Sequence, residues 1–137
     1  MTEKEAIKLL ALIKLFYPTA YKDVDDETLA ATVAVWHETF ADIPYPIMEM
    51  AIDHFRKVSK FAPTFADMYD ELQNVYYMAT EEMMLACMDR DEGRKKRCQY
   101  IMQHTHHLRG DTVNHRLNIG KISSNLLPEG GYGDGTV

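Results

Sequence analysis

Residues 1–92 contain no glycine. All seven glycines come later, at Gly93, Gly110, Gly120, Gly130, Gly131, Gly133 and Gly135. Without the residue that most readily adopts left-handed backbone, the first two thirds of the chain suit helices joined by proline turns. The glycine-rich end suits a loose tail. No run of about 18 apolar residues occurs, which excludes a membrane-spanning helix. The charged start (Glu3, Lys4, Glu5) is not followed by a signal peptide. Only Cys87 and Cys98 are present, too few for a disulfide framework, and both are read as reduced thiols in a cytosol. A length of 137 residues fits one domain with room for a tail.

Charge is segregated along the chain. Residues 1–60 have a net charge of −3, residues 61–92 −7, residues 93–121 +6 and residues 122–137 −2. The basic block also holds four of the six histidines. An acidic block beside a basic one suits either internal pairing or two different partners.

Helix punctuation is the clearest local signal. Thr2 and Glu5 form a capping-box pair ahead of Leu9, Leu10, Leu12, Ile13, Phe16 and Tyr17, and Pro18 ends that helix. The apolar set is too broad for one narrow stripe, so cover on two sides is expected. Acidic residues Asp23, Asp25, Asp26 and Glu27 precede a stripe of Leu29, Val33, Trp36 and Phe40. Pro44 and Pro46 break this run and start a third helix, with Ile47, Met50, Ala51, His54, Phe55 and Val58 as its expected stripe. Residues 59–67 stop one helix and cap the next: Pro63 cannot continue the third, while Thr64 and Asp67 form a second capping box. The fourth helix shows Phe65, Met68, Tyr69, Leu72, Val75, Tyr76 and Ala79 on one side, with Asp67, Asp70, Glu71 and Asn74 expected on the other.

These patterns predict an all-α fold: a small four-helix bundle-like domain over residues 1–79, a helical Met-rich and basic extension over 80–104, and a flexible C-terminal tail over 105–137. The helix beginning at Thr64 is expected to reach about Arg90, with Gly93 weakening it and a further helix over 94–103. Met78, Met83, Met84, Leu85, Cys87 and Met88 are read as distributed all round that helix.

Chemical signatures are scarce. Gly120-Lys121-Ile122-Ser123 is no P-loop, since His115 and Ile122 stand where glycine and Ser or Thr are required. Cys98, His104, His106, His107 and His115 lack the paired spacing of zinc ligands. His54 and His37 have no acid-base partner at a telling spacing. No catalytic residue, cofactor or metal ligand is assigned, and the chain is read as non-enzymatic. Two partner-binding features stand out. Arg94, Lys95, Lys96 and Arg97 place four cations within one turn, and Met84 and Met88 supply polarizable, adaptable contacts.

Three sets of residues, taken together, resemble a known family. They are Thr2 and Glu5 leading to Tyr17-Pro18; Trp36, Phe40, Asp42 and Pro44-Tyr45; and Ala51-Ile52 and His54 leading into Ser59-Lys60-Phe61, Pro63-Thr64 and Ala66-Asp67. In this order they resemble, over residues 1–75, the N-terminal domain of the phage replicative helicase loader/inhibitor family. The resemblance implies a small cytoplasmic adaptor in the bacterial host. Such an adaptor binds the hexameric replicative DNA helicase, restrains it and helps load it at an origin-bound initiator protein, with the loosely ordered C-terminal half engaging the helicase. Two other readings remain open on the residues alone. One is nucleic-acid binding through the basic 93–121 segment, and the other is a self-associating structural or assembly protein with the Met-rich helix as its seam.

Overall fold

The computed structural model describes residues 1–108, and every regular element among them is helical. In chain order these are α1 (Glu3–Phe16), α2 (Asp26–Thr39), α3 (Tyr45–Phe55), α4 (Phe65–Met88), α5 (Glu92–Thr105) and a short 3₁₀ turn, His106–Leu108. The all-α reading holds. The tail expected beyond residue 108, and the part of the basic segment there, lie outside the described residues.

Both capping boxes form. Thr2 Oγ1 accepts from Glu5 N–H at 3.1 Å, and Glu5 Oε1 accepts from Thr2 N–H at 2.7 Å. Thr64 and Asp67 do the same for α4, at 3.1 and 2.9 Å. Each box satisfies two N–H groups that a helix start leaves without partners. Asp25 caps α2 through Thr28 N–H at 2.7 Å, and this hydrogen bond holds the Asp25 carboxyl below its ordinary range. Pro46 lies in the first turn of α3, where its missing N–H has no partner to lose.

Helix α1 packs against α2 and α3, α3 against α4, and α4 against α5 and the closing 3₁₀ turn. Leu9, Ile13, Phe40, Ile43, Ile47, Ile52, Met68 and Leu72 are fully buried at the centre. An aromatic cluster joins α2 to the start of α4. Trp36 and Phe65 have ring centroids 5.0 Å apart, Phe40 and Tyr69 5.4 Å, within the range where such pairs add to simple burial. Tyr17 Oη donates to the Ser59 carbonyl at 2.8 Å, fixing the α3–α4 loop to the end of α1.

Two expectations about faces change. In α3 the buried side is Ile47, Met48, Ala51, Ile52 and Phe55, whereas Met50 and Val58 are exposed. The helix ends at Phe55, so Val58 lies beyond the periodicity that placed it on the stripe. In α4, Glu71 is buried rather than outward; its partner is described below. In α1, Ile7 and Leu15 are solvent-exposed, so its broad apolar set exceeds what α2 and α3 cover.

Helix α4 runs through residue 79 without a break. Ile101 and Leu108 belong to the same core as α1–α3, and Thr105 is fully buried with its hydroxyl donating to the Ile101 carbonyl at 2.7 Å. His107 Nε2 lies 2.8 Å from Asp42 Oδ2, which ties the 3₁₀ turn to the α2–α3 connection.

Candidate partner-binding surface

The residues singled out for binding all fall on one hairpin, the second half of α4 and the returning α5. The turn between them is built from backbone geometry. Arg90 has φ 53°, the left-handed conformation. Asp91 N–H donates to the Ala86 carbonyl at 2.9 Å and Arg90 N–H to the Cys87 carbonyl at 3.2 Å. This is the double hydrogen bond of a Schellman helix end, with arginine where glycine is usual. Asp91 then caps α5 by accepting from Arg94 N–H at 3.1 Å.

The four consecutive cations divide into two pairs. Arg94 reaches back to α4: its Nε donates to Glu82 Oε2 at 2.9 Å and its Nη1 to Asp89 Oδ2 at 3.0 Å. These bonds, chiefly that to Glu82, raise the guanidinium above its ordinary range. Lys95 pairs with Glu92 at 2.9 Å, which raises the ammonium likewise. Lys96 and Arg97 are exposed and form no ion pair among the described residues. Arg94 therefore clamps the hairpin, and Lys96 and Arg97 are the cations presented outward.

The methionines divide in a similar way. Small residues face inward: Ala79, Ala86 and, from α5, Cys98 are buried. Large ones face outward, with Met84 68%, Met88 77%, Met78 52% and Leu85 51% exposed. The apparent scatter of methionine round the helix resolves into an inner alanine face and an outer methionine-leucine face. Between α4, α5 and α3 lies a groove of about 220 Å³ lined in part by Met50, Met78, Arg97 and Ile101.

One polar contact has no counterpart in the sequence reading. His54 Nδ1 and Glu71 Oε1 are 2.7 Å apart, with the Glu71 side chain 7% exposed and that of His54 40%. The two residues are 17 positions apart and on different helices, so no local spacing signals them. The pair lets a carboxylate sit in the α3–α4 interface without losing its hydrogen bonding. Among the described residues, no three His, Cys, Asp or Glu side chains gather as a metal site. No helix among them is long and apolar enough to cross a membrane.

Residues 1–69, which take in α1, α2, α3 and the first turn of α4, match the family model for the N-terminal domain of a phage helicase loader/inhibitor. The chain belongs to this family. The family comprises helicase-binding regulatory proteins rather than enzymes, so membership associates this chain with a phage system and a replicative helicase. No curated protein and no solved structure matches the chain. The matched span ends at residue 69, and the outward methionines and the cations of the hairpin follow it in sequence.

Proposed function

We propose that this chain is an adaptor of the host cytoplasm that binds a hexameric replicative DNA helicase, restrains its activity and helps load it at an initiator-bound phage origin. The match of residues 1–69 to the loader/inhibitor N-terminal domain carries this reading. In it, residues 1–79 act as the scaffold, the Met-rich and basic segment over 80–104 provides contacts through Met84, Met88, Lys96 and Arg97, and the tail over 105–137 adds to them. Arg94 and Lys95 contribute by holding the hairpin in shape.

The deciding experiment is capture of the cognate helicase by the full chain, followed by a helicase ATPase assay. Stable capture with reduced ATP hydrolysis is the expected result. Failure to capture the helicase overturns the reading. Direct DNA binding through residues 93–121 is the competing use of Lys96 and Arg97. It requires an affinity that falls steeply with salt, and a gel shift at two ionic strengths separates it from the adaptor reading.

A further inference from the structure

On the outer face of α4, Tyr77, Glu81, Met84 and Met88 recur at intervals of four, three and four residues, and Met78 and Leu85 lie beside them. This is the spacing of a coiled-coil seam. The seam is separate from the face that makes the core, because Leu72, Val75, Ala79 and Ala86 are already buried on the inner side. The outer residues are large and solvent-facing: Tyr77 and Leu85 are about half exposed and Met88 more than three-quarters. A helix in an aqueous protein does not gain stability from such a stripe unless something covers it.

Charge narrows what can cover it. Helix α4 carries five carboxylates, Asp67, Asp70, Glu71, Glu81 and Glu82, and no lysine, arginine or histidine. Within the domain Glu71 meets His54 and Glu82 meets Arg94, but Glu81 stands in the seam with no ion pair among the described residues. The last turn of α4 has no basic residue to complement the negative end of the helix dipole. An isologous pairing of two copies would bring two acidic seams together, an arrangement that like-charge repulsion opposes. A nucleic-acid backbone is repelled for the same reason.

We propose that the outer face of α4 over residues 77–88 is a docking site for a basic amphipathic helix contributed by another protein. Met84, Leu85 and Met88 bury its apolar stripe, and Glu81 accepts a lysine or arginine from it. The flexible thioether side chains let the seam adapt to the partner's packing. The inference deepens the helicase reading by stating the chemistry of the contact. It rests on that reading only for which protein supplies the helix.

The test uses the full chain and a synthetic peptide of about three heptads with leucine at the seam positions and lysine elsewhere. A second peptide with glutamate in place of lysine is the control. The lysine peptide is expected to bind and the glutamate peptide not. Exchanging both outer methionines, Met84→Gln with Met88→Gln, is expected to weaken binding about tenfold or more, and Glu81→Lys to weaken it as well. Methionine-methyl NMR on the unaltered chain gives a readout independent of variant folding: Met84 and Met88 signals shift on adding peptide, while those of the buried Met48 and Met68 stay in place. Equal binding of both peptides, undiminished binding by the methionine variant, or a stable dimer formed through this face overturns the proposal. Loss of peptide discrimination while the unaltered chain still captures the helicase overturns this inference alone. Discrimination without helicase capture upholds it and overturns the functional reading.

Discussion

The domain formed by α1–α3 with the start of α4 and the α4–α5 hairpin distribute their side chains in opposite ways. In the first, large apolar groups are inside: Trp36, Phe40, Ile43, Ile47, Met48 and Ile52 are buried. In the hairpin beyond Val75, alanines and a cysteine are inside, and Met78, Met84, Leu85 and Met88 are outside. The two regions are also closed differently, the first by aromatic packing and the second by the Arg94 clamp. Close-packed large residues resist change because a cavity cannot collapse fully. A hairpin with small residues at its interface brings its helices close and leaves its large apolar groups available for contact. The difference separates a scaffold from a surface, although α4 belongs to both.

The comparison breaks most severely at Phe40. Phe40→Ala removes a fully buried ring that contacts Trp36, Phe65 and Tyr69. It is expected to lower stability by about 3–5 kcal/mol in chemical denaturation. Because α4 is shared, the hairpin should unfold with the domain in one transition. A hairpin that stays helical after the domain unfolds would show that the two regions are independent.

His54→Ala comes next. It leaves the buried Glu71 carboxylate without its histidine partner and is expected to cost about 1–3 kcal/mol. The double substitution His54→Ala with Glu71→Leu should recover much of that loss, since replacing both partners removes the unsatisfied acceptor. A double-mutant cycle in urea measures the recovery. Additive losses would mean that the contact contributes nothing to the scaffold.

Arg94→Ala acts on the other side of the comparison. It removes both links from α5 to Glu82 and Asp89. Amide hydrogen exchange should quicken through the hairpin while α1 and α3 keep their protection. Uniform change across the chain would argue against a locally clamped hairpin.

The smallest effects sharpen the same region. Gly93→Ala meets only Asp91 Oδ1, at the ordinary contact distance of 3.6 Å, and should stabilise α5 by about 0.5–1 kcal/mol. Arg90→Gly relieves a left-handed non-glycine residue and is expected to add about 1 kcal/mol. Thermal unfolding of each variant reads the change. A loss on Arg90→Gly would show that the arginine side chain contributes more than its backbone conformation takes away.

Much of the scaffold was legible in the residues. Thr2 with Glu5, and Thr64 with Asp67, are local motifs whose hydrogen bonds close within one turn, so they form as the sequence predicts. The stripe of Val33, Trp36 and Phe40 is likewise buried. Where apolar residues exceed one helix face, periodicity loses its power. In α3 it favours Met50 and Val58, whereas packing against α1 and α4 buries Met48 and Ile52. In the hairpin, residues that encircle α4 by sequence count separate into faces only once α5 is placed.

By itself, then, the sequence determined the helical class, where helices begin, the division of charge and the family to which the chain belongs. These depend on groups within a few positions of one another or on the linear order of motifs. Tertiary structure alone decided which of four adjacent cations face outward, that Glu71 is buried against His54, and that the methionines of α4 form a surface. Each of these depends on which distant segment comes within a few ångströms, and no local spacing carries that information.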